Sequence, residues 1–307
     1  MRTSLLRRLL SLTAFLFIAS CSATEAECPP KTGIALQILG SGGPIADDAR
    51  ASAGYLLWID GTARVLIDAG GGTFLRFAEA GARFENLDWV GLSHVHADHS
   101  ADFPALLKSG NFSGRQRPLP IAGPAGDGQF PGLKTWLRRM HHRDSGAYAY
   151  LSGFLDGTSG LPMLVSREVG SGDAVAVYRD DLIEVEAMRV PHGIVPAAAF
   201  KVTTQGQSFV FGTDQNGSNG DFADFAAGAS ILVMHMAISE SATGVARRLH
   251  APPSIIGNIA AAAEPGKLVL SHFMARSLRG LDDNVELVSS AYDGDIVLAE
   301  DLLCVTP

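Results

Sequence analysis

No linker, low-complexity run or short-period repeat divides residues 22–307 of the 307-residue chain, so nothing there separates one folding unit from another. Positive charge is scarce, with 24 Lys and Arg against 32 Asp and Glu, and cysteine is scarcer, at three. The Gly-rich stretch Leu39-Gly40-Ser41-Gly42-Gly43 lacks the Lys and Ser/Thr that a phosphate-binding loop requires, so it reads as a tight turn. What is present is hydrophobic content of 47%, enough to bury a large core.

Near the start, Arg2, Arg7 and Arg8 precede an uncharged apolar run, Leu9 to Ile18, that is too short to span a bilayer as a stable helix. That pattern reads as a signal peptide. The run ends in Ile18-Ala19-Ser20-Cys21, which resembles the lipobox of bacterial lipoproteins. The resemblance implies an acylated Cys21, a mature chain of residues 22–307 and a periplasmic, membrane-anchored location; the alternative is an ordinary signal peptide and a secreted soluble protein. Cys28 and Cys304 then remain, and an oxidising compartment permits them to pair and tie the termini together, against the alternative of two unrelated thiols. Removing residues 1–21 removes three arginines and no acid, leaving 21 basic against 32 acidic residues, a charge of −11. That balance argues against a nucleic-acid partner, because a phosphate backbone is bound through clustered Lys and Arg.

Residues 33–39, 55–60 and 63–68 read as short strands closed by Gly or Asp-Gly turns, suggesting an antiparallel meander. A helix follows at 73–82, a strand at 89–93 and a helix at 98–108. Further strands fit 182–188, 198–203, 208–212, 231–236, 267–270 and 295–298, with helices at 133–140 and, behind a Ser254 cap, at 254–263. Many strands with interleaved helices imply layered α/β structure in one domain. The segment from about 141 to 172, rich in Gly and Ser, reads as an insertion or lid. Its Tyr148, Tyr150 and Phe154 either bind an apolar leaving group or pack the loop down.

The chemistry is concentrated in Ser93-His94-Val95-His96-Ala97-Asp98-His99, directly after an apolar strand. Imidazole and carboxylate suit zinc, iron or manganese. A continuing strand would turn His94 and His96 to one side and leave Asp98 and His99 beyond the turn, available to a second ion. Further donors stand at other strand ends: His192, Asp214 and His272.

This pattern, HxHxDH followed by separated His, Asp and His, resembles the metallo-β-lactamase superfamily over residues 33–300. The resemblance implies a four-layer αββα sandwich. It assigns one metal to His94, His96 and His192, the other to Asp98, His99 and His272, and a bridging position to Asp214. Zinc is the default ion, with manganese or iron fitting the same donors. Within the superfamily the chain looks most like the tRNase Z and arylsulfatase-like branch, through Leu39 to Gly43, Leu66-Ile67-Asp68-Ala69-Gly70 and the His272-Phe273 region with Arg276. That likeness places His250 as a proton donor to the leaving group and Asp98 as acceptor of the water's proton, with Asp68 orienting a ligand histidine. Where the branch has His-Glu-Ala, this chain reads His235-Met236-Ala237, so a carboxylate that could orient His250 is missing. His235 itself reads as a satisfied core residue, and His141 and His142 as surface or lid residues.

The function expected is a binuclear hydrolase acting on a phosphodiester, an aryl sulfate or another ester, with a carboxylic ester or lactone next and a β-lactam last. Residues 131–180 hold six Lys or Arg against five Asp or Glu with no basic Gly-rich run. Together with export, this sets tRNA processing aside in favour of a small-molecule ester. A non-catalytic metal-binding or scaffolding protein is the alternative, and the presence of all seven ligand residues favours the enzyme.

Overall fold

The computed structural model describes residues 28–307, so the signal peptide and Cys21 lie outside the described residues. Among those described, no helix is long and apolar enough to cross a membrane. The chain opens with β1 (Ile34–Gly40), β2 (Gly54–Ile59) and β3 (Thr62–Ile67), then β4 (Trp89–Gly91), β5 (Leu119–Pro124) and β6 (Leu164–Val169). It continues through β7 (Val175–Arg179), β8 (Glu184–His192), β9 (Val195–Thr204), β10 (Gln207–Phe211), β11 (Ile231–His235), β12 (Lys267–Ser271) and β13 (Asp295–Leu298), and closes with β14 (Cys304–Val305). They form two seven-stranded sheets, ordered β14-β1-β2-β3-β4-β5-β6 and β13-β12-β11-β10-β9-β8-β7.

The layering follows from residue alternation in strands buried on both faces. In β2, Tyr55 and Leu57 point into the core between the sheets. Their neighbours Leu56 and Trp58 point the other way, onto Phe77, Phe103 and Leu107 of the helices outside the first sheet. Trp89 from the first sheet meets Phe200 from the second edge to face, centroids 5.2 Å apart. Helices Pro253–Ala263 and Leu281–Ser289 supply Ile256, Ala260 and Val288 to the outside of the second sheet. This is the four-layer αββα sandwich expected.

The first three strands are the antiparallel meander expected. Strands β5 to β7 were not legible. Pro120 and Pro124 disguise β5, because proline is rare inside a sheet, although β5 is a parallel neighbour of both β4 and β6. Strand β6 falls inside the segment read as an insertion, where Leu151 and Phe154 are fully buried against the helix-side core while Tyr148 and Tyr150 stay exposed. The helix expected at 98–108 is two, Ala97–Ser100 and Phe103–Gly110, with Pro104 in the first turn of the second. The cap expected at Ser254 is corrected: the helix begins at Pro253, which needs no N–H there, and the Ser254 hydroxyl bonds Glu240 instead. Cys28 and Cys304 form a disulfide with Cα atoms 5.8 Å apart, fastening the start of the described chain beside β14.

Candidate metal centre

Six strand ends converge on one rim of the sandwich. Asp68 follows β3, the histidine motif follows β4, His192 ends β8, Asp214 follows β10, His235 ends β11 and His272 follows β12. Strand β4 stops at Gly91, so His94 and His96 project from a loop rather than a continuing strand, and His96 caps the short helix that carries Asp98 and His99. Tight backbone contacts fix this loop: Ala69 N donates to His99 O at 2.8 Å, and a Cβ at Gly70 would lie 2.1 Å from Asp98 O. Asp68, Thr213 and His272 take left-handed φ of 59°, 52° and 58°. Non-glycine residues rarely adopt such angles, and they recur where function over-determines the backbone.

The structure brings all seven expected ligand residues together. His94 Nε2 lies 3.0 Å from His96 Nδ1, and the His192 ring centroid lies 4.9 Å from that of His94. On the other side, Asp98 Oδ2 lies 3.2 Å from His272 Nε2 and 3.4 Å from His99 Nε2, whose own separation from His272 Nε2 is 3.2 Å. Asp214 stands between the groups: its Oδ2 is 3.6 Å from His99 Nε2, 3.6 Å from His192 Nε2 and 4.0 Å from His94 Nε2.

Proton bookkeeping shows that this donor set fits cations. His99 Nδ1 donates to Asp68 Oδ2 at 2.7 Å and His192 Nδ1 donates to Leu249 O at 2.8 Å. The Ser93 hydroxyl donates to Asp68 at 2.7 Å and so accepts from His94 Nδ1 at 3.1 Å. With the outer nitrogens committed as donors, each neutral ring turns an Nε2 lone pair inward, toward other lone pairs and carboxylates. His192 Nε2 is buried without a hydrogen-bond partner. Such an orphaned acceptor is costly unless a cation takes it. Groups of three or more donors close enough to share an ion include His94, His96 and His192, and a set of four, His99, Asp214, His235 and His272.

The electrostatics agree. Burial, then the neighbouring imidazoles of His99 and His192, hold the His94 pKa well below its ordinary value. Burial, then His192, lowers that of His96. For His99 burial acts in the same direction, but the carboxylates of Asp98, Asp68 and Asp214 outweigh it and raise the pKa. Burial opposes ionisation of Asp98 and Asp214, yet the surrounding histidines keep both far below the usual carboxylate range.

His250 sits at the rim with its Nδ1 3.7 Å from Asp214 Oδ1 and no hydrogen-bond partner, and burial pushes its pKa down to about 3. Met236, which stands where an orienting carboxylate was expected, is fully buried. The mouth above the ligands is lined by Pro44, Ile45, Leu249, Met274 and Arg276, and Arg276 Nε donates to Ala237 O at 2.9 Å. None of Tyr148, Tyr150 and Phe154 lines it. Gly43 admits His272 closely, since a Cβ there would lie 2.9 Å from the imidazole Cε1. Sequence reasoning missed His235, which is buried as expected of a core residue but donates from Nδ1 to Asp214 Oδ1 at 2.7 Å. The signal available was its place at a strand end, like His272 and His192.

Fold and donor set together define a metal-binding αββα scaffold. Residues 63–273 match the β-lactamase superfamily domain, and the chain belongs to that superfamily as one of its metal-dependent hydrolases. Ribonuclease Z of Mycobacterium avium is 29% identical over 282 residues, covering 88% of this chain and 96% of that one. Ribonuclease Z of Thermobifida fusca is 26% identical and covers 87% and 93%. Among solved structures, the metallo-β-lactamase fold protein YhfI of Bacillus subtilis superposes with a TM-score of 0.68 at 18% identity, covering 89% of this chain and 98% of that one. Human tRNase Z, short form, gives 0.67 at 20% identity, with the same coverage.

This likeness corrects one expectation. Net charge and the missing basic arm were read as excluding nucleic acid, and with it tRNA processing, in favour of a small-molecule ester; that exclusion does not stand when near-full-length relatives are ribonucleases. The physical reason is that net charge sums the whole surface, whereas binding a phosphate chain depends on the local field. Lys134, Arg138 and Arg139 are exposed on one helix, Leu133–His141, with Arg143 just beyond it.

Proposed function

We propose that this protein hydrolyses a phosphodiester of the kind found in RNA, with two divalent cations, zinc by default, held by His94, His96 and His192 on one side and Asp98, His99 and His272 on the other, and Asp214 between them. The observation that carries the reading is the convergence of inward lone pairs from both histidine groups on Asp214 Oδ2. The likeness to ribonuclease Z supplies the substrate class. Bound there, the cations supply a water activated near neutral pH and stabilise negative charge on the phosphoryl group.

The chain's own residues do the rest. Asp98, ionised and held by His99 and His272, accepts the water's proton as oxygen attacks phosphorus. Asp68 and Ser93 keep His99 and His94 in the tautomer that faces the site. His250 is uncharged at neutral pH in its buried position, and the negative charge of an arriving phosphodiester favours its imidazolium form. It then delivers the proton to the departing alkoxide, so the products are a phosphomonoester and an alcohol. Arg276 lies at the mouth where an anionic chain would enter.

The test is turnover by purified protein, metal-depleted and then reloaded with zinc, manganese or iron, on an RNA with an unpaired 3′ extension, an activated aryl phosphodiester and an aryl sulfate. Metal-dependent cleavage of the RNA is expected. Turnover of the sulfate alone, or of nothing by fully loaded protein, would refute the proposal.

A further inference from the structure

We propose that His235 is the positioning residue that decides which oxygen of Asp214 faces the cations, and that Tyr55 and Ser271 hold His235 in the orientation this requires. The inference rests on the metal-binding reading of the site given above.

The geometry is a buried chain of polar atoms joining the two sheets. Asp214 Oδ1 is 2.7 Å from His235 Nδ1, His235 Nε2 is 2.8 Å from Tyr55 Oη, and Tyr55 Oη is 2.9 Å from Ser271 Oγ. Two lone pairs at 2.7 Å would repel, so Nδ1 must carry a proton and donate to the carboxylate, whatever the state of Nε2. The ring cannot turn over freely. A flip about Cβ–Cγ would set carbon against both Asp214 and the tyrosine hydroxyl, forfeiting two buried hydrogen bonds. The ring also stacks on His272 at 4.5 Å with planes 15° apart. Tyr55 comes from β2 in the opposite sheet, whereas His235 and Ser271 pair across β11 and β12, so the anchor spans the core.

The consequence lies in the two oxygens of Asp214. With Oδ1 engaged by His235, Oδ2 is the atom turned toward His94, His192 and His99, at 3.6 to 4.0 Å, and these residues belong to both ligand groups. A carboxylate free to rotate would offer both oxygens to one cation. One pinned at Oδ1 by His235 keeps that oxygen beside His272 Nε2, at 3.5 Å, and holds Oδ2 between His94, His192 and His99, so each oxygen has a fixed side. Outer hydrogen bonds of this kind typically alter metal affinity 10- to 100-fold, by about that range when removed.

Three variants test it, read by ions retained per chain and by dissociation constants from chelator competition, with no substrate present. His235→Asn keeps an N–H donor on Cγ where Nδ1 stands, and is expected to bind metal within about threefold of the native protein. His235→Ala removes the donor and is expected to weaken at least one ion by about 10- to 100-fold. Tyr55→Phe, close to isosteric, is expected to fall between the two. Native affinity in His235→Ala would overturn the proposal, and so would an equal loss in His235→Asn, which would assign the effect to the bulk of the ring. Should His235→Ala fail to fold by circular dichroism, Tyr55→Phe decides, and native affinity there overturns the proposal. Native protein that retains no ion would sink the metal reading itself and this inference with it.

Discussion

Replacing Asp68 with asparagine changes one atom and one charge, and the structure says where the damage should appear. Asp68 Oδ1 accepts from Ser93 N at 2.6 Å, while Oδ2 accepts from Ser93 Oγ and from His99 Nδ1, each at 2.7 Å. A backbone N–H cannot turn away, so the amide oxygen must take the Oδ1 position and the NH2 the Oδ2 position. That places a donor against the His99 Nδ1–H. The conflict resolves when the His99 proton moves to Nε2, the nitrogen that lies 3.2 Å from His272 Nε2 and would otherwise face the cation. Binding a cation must then force the proton back against the amide NH2, so the bound variant lacks the charge-assisted hydrogen bond that the bound native protein keeps, a cost of about 1.5 to 3 kcal/mol. At 1.4 kcal/mol per decade this is roughly a tenfold to hundredfold weaker ion on the His99 side. The assay is chelator competition monitored by elemental analysis, with Asp102→Asn as control, because Asp102 only caps Gly72 N and Phe74 N. A folded Asp68→Asn protein with affinity within threefold of native would refute the tautomer argument.

His250→Ala should leave metal content unchanged and slow RNA cleavage by about 10² to 10⁴, while hardly slowing an aryl phosphodiester whose leaving group needs no proton; equal losses on both substrates would remove the proton-donor role. Metal affinity should fall as pH drops through neutrality, because a proton and a cation compete for His99 Nε2 and the surrounding carboxylates raise the proton's hold there. The expected slope is about one decade per pH unit for each proton released, and a flat profile in chelator titrations would contradict it. Cys28→Ser and Cys304→Ser each open a loop of 276 residues, costing about 3 to 5 kcal/mol in denaturant midpoints; midpoints that ignore both substitutions and added reductant would show the bond does not form. Cys21→Ser should shift the protein from the membrane to the soluble fraction on cell fractionation, and an unchanged distribution would argue for ordinary secretion.

The site was readable because its donors are rare residue types at strand ends, and strand ends announce themselves by apolar runs stopping at polar residues, as at Leu268–Ser271 before His272. Strands β1 to β3 were readable for the same reason. What stayed hidden depends on partners distant in sequence. His235 looks like core in isolation, and only the fold sets it against Asp214, Tyr55 and Ser271. Strand β6 carries Ser166, Arg167 and Glu168 because it is an edge strand with solvent on one side, so its composition resembled a loop. The left-handed φ at Asp68, Thr213 and His272 has no local signature at all, since glycine is absent from the three positions.

Net charge is a poor guide to this surface for a reason that bears on function. Counting acids against bases treats each carboxylate as solvated and repelling phosphate, yet Asp68, Asp98 and Asp214 are buried at the metal centre. There they serve as hydrogen-bond acceptors and prospective ligands, and two divalent cations bound as proposed would outweigh their three negative charges. Exposed Lys134, Arg138, Arg139 and Arg143 meanwhile gather along one helix and its C-terminal turn rather than spreading over the surface. A chain of net charge −8 can therefore still gather exposed cations on one helix, and that grouping is not visible in a sum over residues.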